Sequence, residues 1–183
     1  MKSYFKENER ILYRHRAKEM FYHGYNNYMN NAYPYDELDP IGLGSIILWP
    51  IKYTGPIGFP KISRKSSKFE PIEGCKGRGP DLEKPSNINI NDILGNYSLT
   101  LIDSLDTLAV VGDEQGFQNG IRLVTQNVDF NQPHSVNLFE VNIRVLGSLL
   151  SAHQIITENL YGFNMQMYNN EDGFRVSALI LIG

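Results

Sequence analysis

The sequence predicts an all-α fold. In its second half, apolar residues recur at helical spacing in stretches that start roughly every 20 residues. Short connections separate these stretches, as in antiparallel helix pairs, and no run with strand alternation interrupts them.

The first element spans Glu7 to Ala32, with apolar and aromatic residues at Ile11, Leu12, Met20, Phe21, Tyr25, Tyr28, Met29 and Ala32. From Met20 onward the three-and-four spacing is that of an amphipathic helix. Tyr33-Pro34 ends it, because the ring disfavours helical geometry in the residue before it. Eight of the eleven tyrosines lie at or before Tyr53, and such an aromatic stripe reads as core packing more simply than as a binding surface. Gly42 to Gly74 carries four prolines, five glycines and a basic run from Lys61 to Lys68, and no period survives through it. A stretch of this kind reads as an irregular insertion or linker, with the basic run a solvated loop.

A helix is expected next from about Ser98 to Val111, with Leu101, Ile102, Leu105, Leu108 and Ala109 on one face. Asp113 is placed to cap a following helix whose face is Phe117, Ile121, Val124 and Val128. The last pattern starts near Ser135, carries Leu138, Phe139, Ile143, Leu146, Leu149 and Leu150, and reaches about Ile156.

Composition excludes several classes. The 183 residues carry 17 Lys and Arg against 20 Asp and Glu, a net charge of −3, with 42% hydrophobic residues. This is neither the profile of a disordered chain nor the basic excess of a domain that grips a phosphate backbone. No apolar run approaches the roughly 20 residues of a membrane-spanning helix. Cys75 is the single cysteine, so an internal disulfide and a cysteine-built zinc site are both excluded. Met1 to Arg16 is charged throughout and lacks the apolar centre of a signal peptide, which taken literally leaves the chain in the cytosol.

Few residues are arranged for chemistry. Glu140, Arg144, Ser148 and Ser151 fall on one stripe of the last helix, offset from Phe139, Ile143, Leu146 and Leu150, which are expected to pack. Glu140 and Arg144 could form an ordinary exposed pair. Alternatively they face a cavity, where partial desolvation would suit the carboxyl group to donate a proton. Asp103 and Asp106, three apart, could converge on a ligand, or one could meet a neighbouring loop while the other is solvated. His15, His23, His134 and His153 show no metal-ligand spacing, and HExxH, GxSxG, a helix-opening GxGxxG and GKS/GKT are all absent.

Four blocks nevertheless resemble one family in order and composition. They are MFYHGYNNYMNNAYPYDELDPI (Met20 to Ile41), CKGRGPD (Cys75 to Asp81), LGNYSLTLIDSLDTLAVVG (Leu94 to Gly112) and VNLFEVNIRVLGSLLSAH (Val136 to His153). Together they are similar to the N-terminal part of glycoside hydrolase family 47, the α-1,2-mannosidases, in particular the branch of endoplasmic reticulum degradation-enhancing α-mannosidase-like proteins. The resemblance implies about four helices of an (α/α)7 barrel, spanning residues 1–41 and 75–171, around the insertion at 42–74. It implies an inverting hydrolase that removes α-1,2-linked mannose from high-mannose N-glycans of misfolded glycoproteins in the endoplasmic reticulum. By the same resemblance Glu140, in the LFE motif, is the general acid and Arg144 lines the sugar site. Asp103 and Asp106, in the LIDxLDT segment, belong to that site as its support. Calcium is the expected cofactor of the whole family domain, with its main protein ligand outside this chain. A membrane anchor would have to lie upstream, and nucleic acid is not an expected partner. Asn96-Tyr97-Ser98 is an N-glycosylation sequon, meaningful if the chain enters the secretory pathway.

The departures from the family carry their own expectations. In relatives the DELxP segment runs almost directly into the cysteine-glycine-arginine segment, whereas here Gly42 to Gly74 intervene. Residues 172–183 do not resemble the family at all. Both features, with the missing leader, are expected of a fragmentary gene product of marginal stability that exposes apolar surface and is inactive alone. A glycan- or misfolded-glycoprotein-binding module without catalysis is the alternative reading.

Overall fold

A computed structural model describes residues 6–39, 76–84, 86–132 and 135–163. The expectations for 42–74 and for the tail at 172–183, along with Cys75, lie outside these residues. Helix α1 (Glu7–Asn31) is followed by strand β1 (Glu37–Asp39) and strand β2 (Lys76–Arg78). Five short or medium helices come next: α2 (Ile88–Asn91), α3 (Leu99–Asp103), α4 (Leu105–Val110), α5 (Glu114–Asn127) and α6 (Leu138–Glu140). A π-helical segment, Val141–Leu146, leads directly into α7 (Gly147–Thr157).

The all-α class holds, and α1, α3–α4, α5 and α6–α7 are the four expected helical stretches. Strands β1 and β2, not expected from the sequence, form a small antiparallel pair in which Glu37 opposes Arg78 and Asp39 opposes Lys76. At three residues each they are too short to show alternation. Arg78 Nε donates to Glu37 Oε1 at 2.6 Å across that pair.

The core lies where α3, α4, α5 and α7 meet, and Leu101, Ile102, Leu105, Leu108, Phe117, Ile121 and Val124 have no exposed surface there. Three of the four residues predicted for the α5 face are therefore fully buried, and Val128 packs at the edge. Asp113 caps α5 as its sequence position suggests, its Oδ1 accepting from the Gly116 amide at 2.8 Å. Its Oδ2 also accepts from the Tyr22 hydroxyl at 2.8 Å, which ties α1 to the start of α5. Lys18 Nζ donates to the Val111 carbonyl one turn earlier on the same face of α1.

In α1 the aromatic stripe is core, as expected, but only toward its C-terminal end. Tyr28 and Ala32 are buried, and Phe21, Tyr22, Tyr25 and Met29 pack against the cluster. Ile11 and Leu12 are exposed in the N-terminal half of α1, and Met20, between Lys18 and Phe21, is exposed on the face turned away from the core. The stretch expected as one helix from Ser98 to Val111 is divided at Ser104, whose hydroxyl donates back to the Thr100 carbonyl at 2.6 Å. Such a bond competes with the helical ladder and commonly bends it.

The largest departure concerns the last helical stretch. Phe139, Ile143 and Leu150, expected to pack, are 69%, 57% and 48% exposed, and Leu138 is exposed beside them. Val145, Ser148, Leu149, Ala152 and Ile155 are buried instead. The physical reason is the position of the neighbours: α3 and α4 lie against the Arg144–Ser148–Leu149 side. Among the described residues nothing covers the opposite side.

Candidate active site

The polar stripe of this stretch turns inward. Asn137 caps α6, its Oδ1 accepting from the amides of Phe139 at 2.8 Å and Glu140 at 3.3 Å, and its Nδ2 donating to Asp92 Oδ1 at 2.6 Å. The cap fixes where the helix starts and thereby which way Glu140 leaves it. Glu140 itself is half-buried. Immediately after it the backbone opens into the π-helical segment, which closes with the Gly147 amide on the Asn142 carbonyl, five residues back. A π turn inserted in a helix shifts the azimuth of everything beyond it, and such turns gather at functional sites.

Arg144 lies within that wider turn. Its Nε donates to Asp103 Oδ2 at 2.7 Å, and Nη2 donates to the same oxygen. Both side chains are about 30% exposed, at 31% and 28%. The exposed Glu140–Arg144 pair that spacing alone allows is thus replaced by a half-buried pair between two distant elements, which leaves three guanidinium donors beyond these two. Burial raises the Asp103 carboxyl above its ordinary value, more than the bond and charge of Arg144 lower it, with Asp106 and Glu140 adding to the rise. The Glu140 charge thus reaches Asp103, although the two are 37 residues apart in sequence.

Asp106, one turn along on α4, is half-buried, and the Thr107 hydroxyl lies 3.5 Å from its Oδ1. The two aspartates do not converge on one partner: Asp103 meets Arg144 and Asp106 stays local. Among the described residues no group of three His, Cys, Asp or Glu could hold a metal ion. The calcium implied by the resemblance finds no ligand set among them.

Two residues to which the sequence reading gives no part in this site complete the surroundings. Tyr97 is buried next to the cluster, its hydroxyl donating to the Ile93 carbonyl at 2.9 Å. Burial pushes its hydroxyl up to about 12, helped by the charges of Asp36, Asp103 and Glu140 against that of Arg144. Asp36 is wholly buried. Its Oδ2 accepts from the Asn96 amide at 2.6 Å, and its Oδ1 accepts from the amides of Tyr97 at 2.8 Å and Leu99 at 3.1 Å. Its carbonyl accepts from the Thr100 amide at 2.9 Å and the Thr100 hydroxyl at 2.7 Å. One carboxylate thus fixes the turn that launches α3 and aims Asp103. No local pattern announces it, because every partner lies at least 60 residues away.

The family model described as Glycosyl hydrolase family 47 matches residues 20–171, a span that contains Asp36, Asp103, Glu140 and Arg144. The chain is 39% identical over 158 residues to ER degradation-enhancing alpha-mannosidase-like protein 1 of Schizosaccharomyces pombe, covering 86% of this chain and 16% of the relative. It is 36% identical to Alpha-mannosidase I MNS4 of Arabidopsis thaliana, over 91% of this chain and 19% of that one. It is 38% identical to human ER degradation-enhancing alpha-mannosidase-like protein 3, over 84% and 13% respectively. The chain spans less than a fifth of the length of these relatives, and by the extent of these matches it belongs to glycosyl hydrolase family 47.

Proposed function

We propose that these residues are the N-terminal portion of an α-1,2-mannosidase catalytic domain acting on high-mannose N-glycans of misfolded glycoproteins in the endoplasmic reticulum. The names of the relatives support the reaction class and the setting. The observation that carries the reading is the half-buried carboxyl of Glu140, set on a capped helix start next to the Arg144–Asp103 pair.

In this reading Glu140 protonates the glycosidic oxygen as the mannose leaves. Arg144, anchored through one edge by Asp103, directs its remaining donors at sugar hydroxyls. Asp103 and Asp106 support the site rather than react. Inversion requires a second carboxylate, about 6.5–9.5 Å from the acid, to activate water on the opposite face of the sugar. Asp103 is poorly suited to that role because Arg144 occupies it. The 183 residues alone are therefore expected to be inactive, and turnover requires the rest of a family domain.

Glu140→Gln tests the assignment. In a protein of full family length carrying these residues, mannose release from a high-mannose glycan should fall about 10²- to 10⁴-fold, the usual worth of a positioned proton donor. Turnover that survives the substitution would remove Glu140 from the role. Glycan binding without turnover in the unsubstituted full-length protein would favour the non-catalytic binding module.

A further inference from the structure

We infer that folding closes the Asn96 glycosylation site, so that the sequon can carry a glycan in the native protein but can acquire one only before the turn around Asp36 has formed. Asn96-Tyr97-Ser98 is the single Asn-x-Ser/Thr sequence in the chain. Its three residues are held very differently. The Asn96 side chain is exposed, its amide nitrogen donating to Gln132 Oε1 at 3.2 Å, a surface bond that a glycan could displace. Tyr97 and Ser98 are both buried. The Ser98 hydroxyl donates to the Pro34 carbonyl at 2.6 Å, and the amides of Asn96 and Tyr97 are bonded to the Asp36 carboxylate.

Transfer of an oligosaccharide needs all three residues to be accessible. The Asn96 side-chain nitrogen attacks C1 of a lipid-linked oligosaccharyl diphosphate. The nitrogen–C1 bond forms as the C1–oxygen bond breaks, the lipid diphosphate departs, and the nitrogen gives up one proton. The transferase must grip the sequon hydroxyl and backbone while this happens. In the folded chain that hydroxyl is buried against Pro34 and the backbone is locked. Asn96 and Ser98 have φ of 57° and 58°, a left-handed geometry that a bulkier docking partner would have to unwind. The finished modification meets no such obstacle, because the asparagine side chain points to solvent.

The test uses the complete chain with purified oligosaccharyltransferase and a lipid-linked oligosaccharide donor, read as a mass increment. Three samples are compared: the chain in native buffer, the chain transferred from urea directly into the reaction, and a peptide covering residues 94–102. The peptide and the urea-released chain should be modified, and the native chain at least tenfold more slowly. Asp36→Asn, which weakens the tether, should raise the native rate toward that of the peptide, whereas Gln132→Ala should not. Hydrogen exchange of the Asn96, Tyr97 and Leu99 amides in the same samples should track the protection. Native chain modified at the peptide's rate would overturn the inference, whether the turn is folded or not. Full protection in Asp36→Asn with those amides exchanging fast would assign the closure to something other than this turn.

Discussion

Asp103 is the side chain on which the pair with Arg144 depends, and its titration gives the pair a measurable signature. Burial holds its folded value above the ordinary 3.8 despite Arg144. A raised acid favours the native state fully below its unfolded value and loses that advantage as pH climbs through the folded one. The stability of the native chain relative to Asp103→Asn should therefore fall as pH rises from about 3.8 upward, read as urea midpoints at successive pH values. Arg144→Met removes the lowering influence, so it should steepen that fall and cost about 1–3 kcal/mol at pH 7 by leaving a half-buried carboxylate unpaired. A midpoint difference independent of pH would show that Asp103 is not desolvated. Legibility at this scale was uneven. Glu140, Arg144 and Asp103 could all be named from their blocks, but spacing alone paired Glu140 with Arg144, because it cannot see a partner 41 residues away. Asp36, the deepest carboxylate among the described residues, leaves no signal in the spacing for the same reason.

At the scale of single elements, caps were readable and faces were not. Asp113 before an apolar period predicts a helix start, and its carboxylate makes that cap while also receiving the Tyr22 hydroxyl. Asp113→Ala should cost about 1–2 kcal/mol by chemical denaturation, the usual range for a lost cap. Asp113→Ser, which keeps an acceptor for Gly116, should recover part of it. Loss of nothing in either variant would show that α5 does not rely on this start. On α6–α7 Phe139, Ile143 and Leu150 lie opposite to expectation while Leu149 is buried and Leu146 half-buried, because amphipathicity states which residues avoid water in the finished molecule. It does not state which neighbour covers them. Here the segments that carry Arg144 and Ser148 meet α3 and α4, and Phe139, Ile143 and Leu150 are left outward.

Across the described residues taken together, that outward stripe is apolar surface left in contact with water. Leu138, Phe139, Ile143 and Leu150 lie together on one side, and each forgoes the roughly 25 cal/mol per Å² that burial returns. Phe139→Ser with Ile143→Ser should change the unfolding free energy by no more than about 0.5 kcal/mol per site while reducing binding of an apolar dye. Leu149→Ala, on the buried side of the same stretch, should cost about 2–5 kcal/mol. Equal losses at both sides would contradict the exposure pattern. The β1–β2 pair has a different bearing on the whole. Asp39 and Lys76 are partners on one rung, so the two residues that flank positions 40–75 are held side by side. Closing a detour between two such posts grows costlier by only about 0.6 kcal/mol for each doubling of its length. A change in the number of residues between these two posts is consequently cheap and leaves the register of the helices on either side unaltered.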